Sequence, residues 1–450
     1  MKGCLSERVS KTTRVRAVLL AAVGVLLSAP AALGQISFEA EPINYHAAVA
    51  NDPVAKLQRR MDSGEVTLRF TPEHGYLESV LGQLRVPLSS QVLVFSKTSF
   101  QLQRIYPKRP RALYFNDEVY IGYCQEGDVV EVASVDPSLG TIFYTLEQQP
   151  DAAPQFVRDK GQCLICHASA RTQDVPGTLV RSVFADNSGQ PVLGSGTYTT
   201  DHTSPLRERW GGWYVTGTHG RQRHMGNVIV TNRRAPEQLN RDDGANVTTL
   251  AGLIDTQPYL TPHSDIVALM VLEHQTQMHN VLTRANFECR SALNYDQVMN
   301  QALNRPADQR SPSADRRISA AAERVLEYML FRNEPPLSDP VEGTSTFAQG
   351  FPAEGPRDRG GRSLRDMDLR TRLFKYPCSY LIYSPSFDAL PNAIKDRIYE
   401  RLWQVLTVQD TSPTFGHLGL TDRQIILEIL LETKQDLPAY WVRHRSAPAP

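Results

Sequence analysis

The 450-residue chain has no excess of charge of either sign, since 48 lysines and arginines balance 48 aspartates and glutamates. A chain without net charge has no general attraction to nucleic acid or to anionic membranes, so we expect no nucleic-acid partner. The sequence also lacks the G-x-S-x-G, H-E-x-x-H and P-loop signatures. Nothing in it therefore points to common hydrolase or nucleotide-binding chemistry.

Long hydrophobic runs are absent except near the N-terminus, so we expect no integral membrane span in the mature chain. There, basic residues precede the apolar run "AVLLAAVGVLLSAPAALG", which ends in small residues. This pattern is typical of a secretory signal peptide, and we expect a cleaved leader over residues 1–34 and a periplasmic or otherwise exported protein. The alternative is an uncleaved anchor, but Pro30 interrupts the run and leaves it short for a span.

Cysteine is scarce, with six residues in the chain, too few for a disulfide scaffold. Two of them form the motif C-x-x-C-H, in which His167 directly follows Cys163 and Cys166. This is the attachment signature of c-type haem: each thiol adds to one of two neighbouring vinyl groups, and the histidine ligates the iron. The motif predicts one covalently attached haem c with His167 as the proximal ligand.

Three other interpretations of the motif exist. A thioredoxin-like redox pair needs a strand before it and a long helix after it, whereas strand-like sequence follows here. A structural zinc site needs two further ligands, and no second C-x-x-C or spaced histidine pair is present. Chance is the third. If Cys4 leaves with the leader and the motif binds haem, Cys124, Cys289 and Cys378 remain, which allows one disulfide or none.

With its predicted leader and with Cys163, Cys166 and His167, the chain resembles bacterial c-type cytochromes with a single haem. More closely, it resembles large exported proteins that are described as having a cytochrome c domain. The resemblance implies haem binding and electron transfer without specifying a reaction. Small soluble cytochromes c are mostly helical around the haem, whereas this sequence predicts β-hairpins after the motif.

The sixth iron ligand decides whether the iron transfers electrons or also binds peroxide or oxygen. Met225 is the first candidate, and its neighbour His224 and nearby His219 are alternatives. His274 and Met278, spaced i and i+4 on a predicted helix, form a second set, although an imidazole on an apolar stripe is commonly a core residue. An iron without a second protein ligand is the remaining alternative.

Haem propionates need cations, and arginine binds carboxylates bidentately. Arg171, Arg221 and Arg223 lie near the motif or near the candidate ligands in sequence, so they are possible propionate contacts. The alternative is that they are ordinary surface charges. A basic run over residues 104–111 either docks an acidic redox partner or is a solvated loop.

We predict an α+β fold, with a β-rich N-terminal region, hairpins around the haem motif and a mainly helical C-terminal region. One hairpin is expected to turn at residues 187–189 and another near Gly220. A helix is expected from a cap at Ser264, with His279 on its exposed side. The predicted division is 1–34 signal peptide, 35–150 β-rich domain, 151–235 haem c-binding region and 236–450 helical region with a Pro/Gly-rich loop at 333–363.

Two functions remain open at this stage. One haem motif and plausible sixth ligands favour a periplasmic electron-transfer protein with a redox partner protein or a small electron donor or acceptor. The length favours a haem-dependent, peroxidase-like oxidoreductase, because a bare electron carrier needs only about 100 residues. Against the enzyme, dihaem peroxidases carry two such motifs and this chain carries one. A non-enzymatic haem sensor is a third possibility, and the oligomeric state is left open.

Overall fold

A seven-stranded antiparallel sheet dominates the N-terminal half of the protein. The structure is a computed structural model, and it describes residues 37–441, so the predicted leader lies outside the described residues. In chain order the strands are β1 (Val92–Val94), β2 (Arg111–Phe115), β3 (Val119–Tyr123), β4 (Val129–Asp136), β5 (Gly140–Glu147), β6 (Phe156–Arg158), β7 (Val180–Val183), β8 (Thr197–Thr200), β9 (Trp213–Tyr214), β10 (Gly217–Thr218) and β11 (Glu342–Gly343). The large sheet runs in the order β6–β5–β4–β3–β2–β1–β9.

The helices cover most of the C-terminal half. In chain order they are α1 (Pro53–Asp62), α2 (Leu77–Gln83), α3 (Leu164–His167), α4 (Ile266–Ala302), α5 (Pro312–Met329), α6 (Phe347–Ala353), α7 (Pro385–Asp388), α8 (Asn392–Leu406) and α9 (Leu420–Thr433). The α+β prediction, with a β-rich N-terminal region and a mainly helical C-terminal region, is confirmed. In the described part of the chain, every helix is too short or too polar to cross a membrane.

Helix α4 is the centre of the molecule. It is 37 residues long, and its N-terminal half is almost wholly buried between the sheet and the other helices. Val92 and Phe115 of the sheet belong to the same apolar core as Val267 and Leu269 of α4. The sheet and the helices therefore share one core, and the described residues from Phe38 to Trp441 belong to one compact unit.

The predicted hairpin after the motif is confirmed. Strands β7 and β8 pair antiparallel, and the connecting loop turns where expected, at residues 187–189. The Asp186 carboxylate accepts hydrogen bonds from the backbone N–H groups of Ser188 and Gln190. Gly189 supplies the positive φ of 80° that the turn requires. This hairpin brings one of its faces close to the motif segment.

The second predicted hairpin is wrong. Strand β9 pairs with β1 at the edge of the large sheet, and β10 pairs with β11, more than a hundred residues later. The strand-like composition was read correctly, but its partners are distant in sequence, where local patterns carry no information. The predicted β-rich domain over 35–150 also contains two helices, α1 and α2, ahead of its first strand at Val92–Val94.

In the helical half, the long helix is capped by Asp265, whose carboxylate accepts the N–H groups of Val267 and Ala268, and not by Ser264. The prediction that His279 is exposed is wrong, because the side chain is buried and its Nε2 donates to the backbone carbonyl of Asp117. The Pro/Gly-rich segment 333–363 is largely irregular but includes β11 and α6.

Candidate haem-binding site

The C-x-x-C-H motif forms a single helical turn, α3, at the surface of the sheet. The N–H groups of Cys166 and His167 both donate to the carbonyl of Cys163, at 3.2 and 2.9 Å. The Asp159 carboxylate caps the turn by accepting the N–H groups of Gly161 and Cys163. Cys163 is half-buried, Cys166 is exposed, and both are free thiols. The turn therefore presents two neighbouring thiols, the outer one open to solvent.

Burial, with the neighbouring Asp159 carboxylate, raises the pKa of the Cys163 thiol to about 12. Redox-active thiols of C-x-x-C pairs have the opposite property, a lowered pKa that favours the thiolate. Burial also lowers the pKa of His167, which keeps its imidazole neutral. The electrostatic environment of the motif is thus unlike that of a dithiol oxidoreductase.

His167 is held by a reciprocal pair of hydrogen bonds with Gly177. Its Nδ1 lies 2.9 Å from the Gly177 carbonyl oxygen, and the Gly177 N–H donates to the His167 carbonyl at 2.8 Å. A carbonyl only accepts, so Nδ1 carries the proton and Nε2 keeps its lone pair. The Phe143 ring packs against the imidazole at 4.9 Å between centroids. The ring is therefore oriented, and its tautomer fixed, as in histidines that ligate metals through Nε2.

Helix α4 supports the segment that carries Gly177. Asn280 donates to the carbonyl of Thr178 at 2.8 Å, and Arg284 donates to that of Gln173 at 3.0 Å. A Cβ atom on Gly177 would lie 2.0 Å from the Asn280 side-chain oxygen, so a larger residue does not fit without movement. Helix α4 thus holds the segment with the Gly177 carbonyl in place, and that carbonyl orients the His167 ring.

A cleft of about 370 Å³ opens three residues after His167. Its lining includes Ala170 and Arg171 after the motif, Val180 of β7, Thr200 of β8 and Thr276 of α4. Ligand pockets span about 300–1,000 Å³, so the cleft has room for a small molecule or for part of a macrocycle. The cleft is thus bordered both by the segment that follows the motif and by α4.

Two arginines beside the motif carry charges that no acidic residue balances. Burial and the charge of Arg171 lower the pKa of Arg181, while Cys166 acts in the opposite direction, so the three groups lie close together. Within residues 37–441, neither arginine forms an ion pair. By contrast, Arg221 pairs with Asp339 and Arg223 with Asp242. Of the predicted propionate contacts, the structure brings Arg171 to the motif, and it adds Arg181.

Met225, the first candidate for the sixth ligand, lies in a small closed cluster. Its side chain is fully buried among Phe184, Val192 and Val230, and the Ser182 hydroxyl lies 3.8 Å from its sulfur. Successive strand residues point to opposite faces, so Ser182 faces away from the side of β7 on which Arg181 approaches Cys166. Met225 as a ligand stays a prediction, and in this arrangement its sulfur is occupied elsewhere.

His219 and His224 lie together, with ring centroids 4.6 Å apart and the His224 ring against Trp210. Nε2 of His219 accepts the N–H of Asn246, and Nδ1 of His224 accepts that of Gly226. The structure brings these two candidates to each other, while the ring contact of His167 is with Phe143. Their role as ligands stays a prediction.

His274, from the second candidate set, belongs to a buried polar network. Its Nδ1 lies 2.9 Å from Nδ1 of His202, and its Nε2 lies 2.8 Å from the Ser379 hydroxyl. Burial lowers the pKa of His274 to about 3, so the ring is neutral. Met278 is fully buried in the main core. His202 is the other half of this histidine pair.

Sequence reasoning found the thiols and the imidazole but missed the residues that hold them. Asp159 and Gly177 were recognisable as a cap four residues before Cys163 and as part of a Pro-Gly turn. Phe143 and Arg181 carried no local signal, because the sheet brings them to the motif. No family model, no curated protein and no solved structure matches the chain.

Proposed function

We propose that the protein is an exported c-type cytochrome that binds one haem covalently through Cys163 and Cys166, with His167 as the iron ligand, and acts in electron transfer. The bound haem would supply reversible one-electron chemistry. The residues fit this group, since two free thiols, a neutral imidazole with one available nitrogen and two unpaired guanidinium groups lie together. Cys163, Cys166 and His167 would anchor it.

The observation that carries the proposal is the clamp between His167 and Gly177. It fixes the imidazole tautomer so that only Nε2 is available, which a coordinating histidine requires and a merely structural histidine does not. The rival dithiol interpretation expects a long helix after the motif. Here α3 ends at His167 and a short 3₁₀ turn over Ala170–Thr172 follows.

Arg171 and Arg181 support the same proposal through charge. Holding two guanidinium groups near each other without an acidic partner costs electrostatic free energy, which a bound dianion would offset. The two propionates of a haem have that charge. We therefore assign the propionates to Arg171 and Arg181 in preference to Arg221 and Arg223, which already have aspartate partners.

The electron-transfer role implies a donor and an acceptor outside this chain, either a redox protein or a small molecule. Ile165, within the motif, is 80% exposed, so an apolar side chain at the motif is open to a partner. Export, proposed from residues 1–34, places covalent haem attachment outside the cytoplasmic membrane. Fractionation of the expressing cells tests this, and a protein confined to the cytoplasm with an uncleaved N-terminus contradicts it.

A second candidate function, a haem-dependent peroxidase-like oxidoreductase, is favoured by the cleft beside the motif. An electron carrier needs an exposed cofactor edge, whereas a cleft of about 370 Å³ is the size of a binding site for a small substrate. The two functions differ in whether the sixth position of the iron is closed by the protein or open to ligands.

The test is the absorption spectrum of the purified exported protein, oxidised and reduced, before and after addition of cyanide and peroxide. Electron transfer predicts a low-spin spectrum that neither ligand changes. A high-spin spectrum that shifts with peroxide would favour the enzyme. If the iron is low-spin, Met225→Ala, His224→Ala and His219→Ala identify the sixth ligand, because only the true ligand's loss makes the iron high-spin.

Variants of the motif test the anchor itself. Cys166→Ala should reduce covalent haem content at least tenfold. His167→Ala should abolish the native iron spectrum. Cys378→Ala is the matched control, because that thiol is fully buried in the main core and has no charged neighbour in common with the motif cysteines, so the haem content should be unchanged. Full haem content in Cys166→Ala together with Cys163→Ala would contradict the proposal.

A further inference from the structure

Glu273 of α4 is a fully buried carboxylate with an unfilled oxygen. Its Oε2 accepts from Arg209 at 3.0 Å, in an ion pair that is itself buried. Its Oε1 has no hydrogen-bond partner in the described part of the chain, and neither does the buried hydroxyl of Thr200. The two groups lie near each other without forming a regular hydrogen bond. Such a gap suits an additional proton or a water molecule.

The carboxylate lies directly behind the cleft. Thr200 lines the cleft, and so does Thr276, one helical turn after Glu273, whose hydroxyl donates to the Glu273 carbonyl. Ala170 and Arg171, which follow the motif, line the same cleft. The cleft therefore borders both the segment after the haem motif and the threonine that adjoins Glu273.

The groups around Glu273 leave its charge only partly compensated. Arg209 favours the ionised form, whereas Asp201 and burial oppose it, and Tyr328 of α5 is close enough to interact. Behind Arg209, which also donates to the carbonyl of His202, the His202–His274 pair is neutral because burial lowers both pKa values. On balance burial raises the pKa of Glu273 to about 7. The group is thus able to change protonation near neutral pH.

We propose that Glu273 is a proton-binding group coupled to the redox state of the motif site, with the cleft as its path to solvent. The inference rests on the proposed haem function. When a one-electron donor reduces the site, the added negative charge favours the protonated form of a nearby carboxyl. The Glu273 carboxylate then takes one proton from solvent and becomes a carboxylic acid, and oxidation releases that proton.

Linkage fixes the sign of the effect. If reduction favours protonation, protonation favours reduction to the same extent, so the midpoint potential falls as pH rises through the titration of Glu273. Below that range both redox states hold the proton, and above it neither does. The dependence should therefore be concentrated between about pH 6 and 8.

The chain offers a matched control in Glu334. Burial raises its pKa to about 7 as well, but it accepts the N–H of Leu373 and interacts with Arg209 and Arg372, and it does not line the cleft. Glu334→Gln removes a partly buried carboxyl that shares the Arg209 charge with Glu273 but contacts neither Glu273 nor Thr200, so it controls for that charge. Glu273→Gln keeps the shape and can still accept from Arg209.

The experiment is an equilibrium redox titration of the haem-loaded protein at several pH values. We expect the midpoint potential of the wild type and of E334Q to fall with rising pH, and that of E273Q to lose most of this slope. A wild-type slope that E273Q keeps, or that E334Q loses equally, would overturn the assignment. A protein that retains no covalent haem refutes the proposed function instead, so the two failures are distinguishable.

A second measurement uses the wild-type protein, so it does not depend on whether a variant folds. The infrared difference spectrum between reduced and oxidised wild-type protein should contain a protonated-carboxyl band in the reduced state that shifts in heavy water. Its absence would overturn the proposal. If E273Q folds, the band should be missing in E273Q and present in E334Q.

Discussion

Histidine occupies two contrasting environments in this protein. At the motif, His167 bonds a backbone carbonyl through Nδ1 and leaves Nε2 available, on a one-turn helix at the surface of the sheet. In the interior, His202 and His274 bond each other, and the second nitrogen of His274 is taken by Ser379. The His167 ring is oriented by one hydrogen bond that leaves its Nε2 available. The His202–His274 pair instead contributes hydrogen bonds to the core.

The contrast shows how a ligand can be distinguished from a core residue when both are histidines in a polar environment. Burial alone does not separate them, since both regions exclude much of the solvent. The difference lies in the partners of the ring nitrogens: His167 is bonded at Nδ1 to a backbone carbonyl, whereas both nitrogens of His274 are bonded to the buried side chains of His202 and Ser379. Nε2 of His202 is buried without a partner in the described residues.

His274→Ala should destabilise the fold by about 2–4 kcal/mol, because it leaves His202 and Ser379 without their partner and opens a cavity. His167→Ala in the protein without haem should cost less than about 1.5 kcal/mol, the value of one hydrogen bond. Urea unfolding of both variants measures the difference. Equal losses of unfolding free energy in the two variants would mean that His167 is a structural residue like His274.

Gly177→Ala should cost about 1–3 kcal/mol, since its Cβ would displace the Asn280 side chain that holds the loop under His167. The variant should also broaden or shift the iron spectrum of the haem-loaded protein, because the carbonyl that orients the imidazole moves. Gly194→Ala, where a Cβ meets nothing within 4 Å, is the control. A neutral result for Gly177→Ala would show that the clamp is not needed.

Stability should decline as pH rises from about 4.5 to 7, by roughly 1–3 kcal/mol for each of Glu273 and Glu334. Burial raises the pKa of both carboxyls to about 7 in the folded protein. In that interval the folded state holds protons that the unfolded state has released, so the sign follows from linkage. Thermal melts at several pH values measure it, and E273Q and E334Q should each flatten the profile. A profile unchanged in both variants would contradict these assignments.

Arg171→Ala and Arg181→Ala should each lower the midpoint potential of the haem-loaded protein slightly, by less than about 1 kcal/mol, because a cation near the site favours the reduced state. Arg221→Ala, whose side chain is paired with Asp339 and mostly exposed, should have no effect. An equal shift of the midpoint potential in Arg221→Ala would contradict the assignment of the propionates to Arg171 and Arg181.

How much the sequence reveals differs between the two histidine regions. The motif is local, so Cys163, Cys166 and His167 are recognisable from five consecutive residues. Gly177 and the first hairpin are close enough in sequence to be read from turn signals. The His202–His274 pair spans 72 residues and forms only because α4 passes beneath β8. Hydrophobic periodicity does not predict a contact between two such distant residues. The apolar stripe of the predicted helix indicated only that His274 faces a core.

The same limit explains the errors in the fold. The sheet was recognisable from its β-branched and aromatic residues, but β9 joins β1 and β10 joins β11 across long stretches of chain. His279 was expected to be exposed because a helix with one apolar stripe usually has a wet side. Helix α4 instead lies between the sheet and the other helices, so its polar positions are buried and bonded to backbone carbonyls.

The most direct test of the central claim is the intact mass of the exported protein, purified from a host that attaches haem c and then extracted with acid to remove non-covalent haem. The account predicts the mass of the chain without residues 1–34, or with a cleavage site close by, plus one haem. It also predicts that the added mass disappears when both Cys163 and Cys166 are replaced by alanine. An unmodified mass with full expression of the host's attachment machinery would contradict the account and leave the two thiols as a redox pair.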